Sequence, residues 1–147
     1  TAVITAGNLT VTTDNAIANG SATNGVQATV TDANGNPVSG LAVSFSADNG
    51  ATIAASGTTG ADGIATATLT NTAAGISAVT AAVNGNSQRV DTTFVADETT
   101  KVITAGNLTV TTDNAIANGT ATNGVQATVT DANGNPVSGQ AVSFSAD

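Results

Sequence analysis

The chain has 147 residues, a formal charge of −8 from 2 basic and 10 acidic side chains, and no Cys, His, Met, Trp or Tyr. That composition excludes a disulfide and any Cys/His metal centre. It supplies no residue for a His-based triad or a thiol nucleophile, and its 2 basic residues cannot form a patch for a nucleic-acid backbone.

No apolar run approaches the ~18 residues of a membrane-spanning helix, so no membrane contact by this segment is expected. The opening TAVITAGNLT has neither the basic region nor the apolar core of a secretory leader; if the protein is exported, this sequence is expected to be a piece of something longer. With 8% charged and 40% hydrophobic residues, the chain departs from the composition of disorder. Its abundant Val, Ile and Thr favour strands.

Taken in order, the predicted elements are all strands. Asn8 to Thr13 is a short alternating run with Leu9 and Val11 on one face. Gly25 to Asp32 alternates strictly, Val26, Ala28 and Val30 inward and Gln27, Thr29 and Thr31 outward, the pattern of a half-buried antiparallel strand. The stretch DANGNPVSG, residues 32–40, is a connecting loop. In it Asn34 and Gly35 suit positive φ, and Pro37 cannot donate to a ladder. Leu41 to Ala47 alternates again, with Leu41, Val43 and Phe45 inward, and Ala51 to Ala54 reads as a short edge strand. After an Asp62-Gly63 turn, Ile64 to Thr70 places Ala65, Ala67 and Leu69 on one face. Ile76 to Val83 aligns Val79, Ala81 and Val83; an Asn84-Gly85 turn leads into Ser87 to Val95, with Val90 and Phe94 inward. About seven short strands at roughly ten-residue spacing predict an antiparallel two-sheet sandwich. The expected core comprises Val26, Val30, Val43, Phe45, Leu69, Val79 and Phe94.

The sequence then repeats itself. Residues 1–48 recur as 100–147 at an offset of 99, and only Ala2/Lys101, Ser21/Thr120 and Leu41/Gln140 differ. The intervening VADETTK holds the only Glu and the only Lys of the chain. This predicts a complete repeat over 1–98 with its core in 5–96, a linker over 97–103, and the N-terminal half of a second repeat over 104–147. The Leu41/Gln140 difference predicts that this position is the exposed start of its strand.

Several pieces in fixed order carry a resemblance: ATVTDANGNPVSG, AVSFSAD, the Ala/Thr strand after Asp62-Gly63, and VDTTFVAD. Together they resemble the bacterial Ig-like repeat of the intimin/invasin, or inverse autotransporter, family of Gram-negative surface adhesins. The resemblance covers nearly all of 5–97 and its first half again in 104–147. It implies an all-β, Ig-like sandwich without a disulfide, in the extracellular stalk of a protein anchored in the outer membrane by a region absent from this chain. The implied role is non-enzymatic: extending a distal tip for cell adhesion or biofilm. Neighbouring repeats are the expected partners, with self-association by strand exchange and direct ligand binding as alternatives.

Site candidates are few. DANGNP, at 32–37 and 131–136, faintly echoes a calcium loop, but its Gly falls at position 4 rather than 6 and no Glu stands at position 12. A tight turn accounts for it better. Asp97 and Glu98 in the linker could join Asp14, Asp113 or a backbone carbonyl around calcium, since hard cations want several oxygen ligands; the plain alternative is a solvated acidic linker. Asp14, Asp32, Asp48, Asp62 and Asp91 fall in predicted turns or on outward positions. Without aromatic platforms they make no sugar-cleaving site. No catalytic residue and no cofactor are expected.

Overall fold

The computed structural model describes residues 1–147, which form two compact units, Thr1–Val95 and Ala96–Asp147. In the first unit the strands are β1 (Leu9–Thr13), β2 (Ala16–Ile17), β3 (Asn24–Thr29), β4 (Ala42–Ala47), β5 (Thr52–Ile53), β6 (Ser56–Thr58), β7 (Ile64–Thr70), β8 (Gly75–Val83) and β9 (Asn86–Val95). They build two sheets, β1-β3-β7-β5 and β2-β9-β8-β4-β6. All pairings are antiparallel except β2 with β9, which is parallel.

Seven of the nine strands correspond to the runs read from the sequence. The two additional ones, β2 and β6, are two and three residues long, too short to show a period. The pair Asp14-Asn15 divides the N-terminal run between the sheets. There Asn15 adopts φ +62°, β1 joins β3 on one side, and β2 joins β9 on the other.

Alternation sets the inner faces. Along β3, Val26 and Ala28 are fully buried, and Val30 follows just beyond it. β4 contributes Val43 and Phe45, β7 Ala65, Ala67 and Leu69, β8 Val79, Ala81 and Val83, and β9 Phe94. Ile4, ahead of the expected core start, is also fully buried. The backbone holds it there: Ile4 N–H donates to Asn86 Oδ1 at 2.9 Å, and Gln88 Nε2 donates to its carbonyl at 3.2 Å. Leu41 immediately precedes β4 and is half-buried against the core rather than fully exposed. Its N–H is tied to Thr59 Oγ1 at 2.9 Å, which draws the side chain inward.

The turns follow from local chemistry. Val83 pairs with Asn86 across Asn84 (φ +50°) and Gly85 (φ +74°). Two consecutive positive φ angles make the tight hairpin whose twist suits the flanking strands. Gly63 is required twice over, by φ +75° and because a Cβ there would meet the Val30 carbonyl at 2.6 Å.

In the second unit, β10 (Leu108–Thr112) pairs with β11 (Gly124–Ala127) in the same register and with the same bulge as β1 with β3. The equivalent of β4 is not a strand. Its pairing partners in the first unit, β6 and β8, have no counterpart in 100–147.

Candidate functional site

Buried polar groups in the first unit serve the fold. Asn24, fully buried, accepts from Ala16 N–H at 3.0 Å and donates to the Thr93 carbonyl at 3.0 Å. It thus spans β3, β2 and β9. Asn71 donates to the Asn49 carbonyl and to Ser77 Oγ, and accepts from Ala73 N–H. The Thr92 hydroxyl donates to the Ser77 carbonyl at 2.8 Å. No buried side-chain nitrogen or oxygen lacks a partner, which matches the rule that a buried polar group must be hydrogen-bonded. Composition gave no sign of these Asn residues, because Asn also marks turns.

The acidic residues are held locally. Asp14 accepts from Asn15 N–H and Thr93 N–H, each at 2.8 Å. Asp113 accepts from Asn114 N–H at 2.8 Å. Asp97 caps a single 3₁₀ turn, Glu98–Thr100, accepting from Thr99 N–H at 3.0 Å and from the Thr99 hydroxyl at 2.6 Å. Glu98 is exposed in that turn. No group of three or more carboxylates comes together in the chain. Asp48 and Arg89 form a 3.0 Å ion pair with both side chains more than half exposed, a geometry worth little to stability.

The DANGNP loop is built around its first Asp. Asp32 Oδ1 accepts from Asn34 N–H and Asn36 N–H, and Oδ2 accepts from Asn36 Nδ2 at 3.2 Å. The Asn36 N–H, the Asn36 side chain and the Asn34 N–H hold its carboxyl below the ordinary carboxylate pKa. Gly35 takes φ +83° at the close of the turn, and Thr31 bridges Pro37.

In the second unit the same loop has a further partner. Asp131 receives Asn133 N–H and Asn135 N–H on Oδ1 and Asn135 Nδ2 on Oδ2, and Oδ2 also receives the N–H of linker residue Asp97 at 2.9 Å. Thr100 Oγ1 accepts from Ala132 N–H at 3.0 Å. Burial works to raise the Asp131 pKa; the N–H donors of Asp97, Asn135 and Asn133 outweigh it, and the carboxyl titrates below its usual range. The residue expected only to begin a turn thus becomes the anchor of the linker, a role no motif within the loop signals.

The second feature of the second unit is an open sheet face. Leu108 is 59% exposed, Val125 53% and Phe144 60%, whereas their equivalents Leu9, Val26 and Phe45 are buried. These three residues line one apolar groove.

A two-sheet sandwich without cysteine, entered twice by the same 48-residue sequence, is the setting for the comparisons. The family model for bacterial Ig-like domains (group 1) matches residues 6–95 and 105–147. The chain belongs to that family. It is 40% identical over 129 residues to the inverse autotransporter adhesin YeeJ of Escherichia coli strain K12, a match that takes in 80% of this chain and 5% of that protein. The chain therefore spans a small part of that relative's length. Among solved structures, the D0-D1 domain of intimin aligns over 93% of this chain and 69% of its own, with 27% identity and a TM-score of 0.59. Invasin, described as a bacterial integrin-binding protein, aligns over 95% of this chain and 28% of its own, with 34% identity and a TM-score of 0.58. The chain is thus an all-β domain of the bacterial Ig-like family, similar to domains of surface adhesins, and the expected family and fold class stand.

Proposed function

We propose that this chain is a non-enzymatic stalk segment of a bacterial cell-surface adhesin, a spacer that holds a distal adhesive part away from the outer membrane. The observation that carries the reading is the tandem arrangement. A sandwich with its own closed core ends at Val95, and from Thr100 the sequence of its first 48 residues begins again with three differences. Each repeat then adds length without needing its neighbour's core. Similarity to adhesins supports the location outside the cell, and the absence of His and Cys together with the scattered carboxylates supports a role without chemistry. Neighbouring repeats are its proposed partners.

The test is a cell-surface fusion in which zero, one, two or four copies of residues 1–99 separate an outer-membrane anchor from a binder of known ligand. Attachment to a ligand-coated surface should rise with copy number on cells with long surface polysaccharide. Attachment independent of copy number would reject the spacer role.

The open face of 96–147 favours a second reading, self-association by strand exchange. A segment with the sequence of 49–95 from another copy would cover Leu108, Val125 and Phe144 as it covers Leu9, Val26 and Phe45 in the first unit. Light scattering decides: mass growing with concentration supports exchange, and a constant monomer mass rejects it.

A further inference from the structure

The two DANGNP loops are identical from Asp32 to Gly40 and from Asp131 to Gly139, yet they differ in what they hold. Asp32 is half-buried and Asn36 exposed, whereas Asp131 is 2% and Asn135 8% exposed. The internal hydrogen bonds of the two loops are the same. The second loop adds two bonds to the linker: Asp97 N–H on Asp131 Oδ2 and Ala132 N–H on Thr100 Oγ1. The two bonds run in opposite directions, one from linker to loop and one from loop to linker, so they fix the linker's place along the loop. The Asp97 side chain meanwhile folds residues 98–100 into a turn, which sets the spacing between the two anchor points.

We propose that the DANGNP loop of each repeat is the seat for the linker leaving the preceding repeat. Asp131 is the positioning residue that captures the Asp97 N–H, and the Asp32 loop, identical in sequence, is the same kind of seat. The seat chooses backbone N–H groups rather than cations. The Asp131 carboxylate accepts from four N–H groups, and the linker residue that approaches it does so through its amide while its own carboxylate is occupied with Thr99.

The consequence is that the stretch read from the sequence as a seven-residue linker is held in part by the loop: β9 ends at Val95, the first seated atom is the Asp97 amide, and Thr100 is the second anchor point. This consequence deepens the stalk reading, since a spacer with slack joints would not hold its tip outward. The seat itself is a property of the loop and can be examined separately.

The experiment is amide hydrogen exchange and ¹⁵N relaxation by NMR on the full 147-residue chain and three variants. In the unaltered chain the Asp97 amide is expected to be protected and residues 97–100 to be as ordered as the loop. Asp131→Asn places an NH₂ or a weaker acceptor opposite the linker, and should lower Asp97 protection at least about tenfold, the scale for losing a hydrogen bond to a charged acceptor, with higher mobility at 97–100. Thr100→Val should free the Ala132 amide and leave the rest of the loop unchanged. Asp32→Asn is the control, since it disturbs an identical loop and should leave residues 97–100 untouched.

An Asp97 amide that exchanges as in a free peptide in the unaltered chain, or protection that survives Asp131→Asn, would overturn the proposal. Equal loosening of 97–100 by Asp32→Asn would overturn it too, because a general loss of stability would then explain the effect. Failure of the stalk reading looks different: the linker stays protected while attachment ignores copy number.

Discussion

Phe94 and Phe45 are the two largest side chains in a core otherwise made of Val, Ala, Leu and Ile. Small neighbours leave little to collapse into the space of a lost ring. Phe94→Ala is therefore expected to cost ~3–5 kcal/mol, read as a lower denaturant midpoint for the first unit, whereas Phe144→Ala, at an exposed equivalent of Phe45, should change stability by less than ~0.5 kcal/mol. Gly63→Ala should destabilise by more than ~1 kcal/mol, since it combines a positive φ with a 2.6 Å approach to the Val30 carbonyl; thermal melting checks it. Asp32 and Asp131 both titrate below the ordinary value of 3.8. Their folded pKa lies below the unfolded one, so their contribution is complete above about pH 4 and is lost as pH falls through the folded value. Acid titration followed by NMR should show the loop amides of 34 and 36 shifting below pH 4, not between 5 and 7.

At the scale of elements, what could be read from the sequence was whatever shows a period of two. β3, β4, β7 and β8 alternate over six to nine residues, and their inward residues can be named in advance. β2 escapes because two residues have no period, and its parallel pairing with β9 depends on where Asn24 holds the chain. That Asn looks like a turn residue in TNG and is instead buried between strands. Asn24→Ala is expected to lose about 1–3 kcal/mol, because it strands the Ala16 N–H and leaves the Thr93 carbonyl with the Asn15 N–H alone. Hydrogen exchange should show the Ala16 and Ala18 amides opening first while β7–β8 stay protected. The seat at Asp131 was illegible for a deeper reason: the loop's sequence is the same at 32–40 and 131–139, and nothing within it announces the bond to the Asp97 N–H.

At the scale of the whole molecule, the duplicated sequence is a natural control for the effect of context. β10–β11 repeats the register of β1–β3, but its face lacks the β7–β9 covering that buries Leu9 and Val26. Its amides should exchange at least about a hundredfold faster than their equivalents in the first unit. The central claim is the proposal made above, that closed repeats of this kind serve as spacers and add length copy by copy. Small-angle X-ray scattering on arrays of two, four and six copies of residues 1–99 tests it most directly. A strand of nine residues such as β8 spans about 30 Å, so the maximum dimension is expected to grow linearly, by at least about 30 Å per added repeat. Growth as the cube root of mass, the mark of repeats collapsing onto one another, would contradict the account.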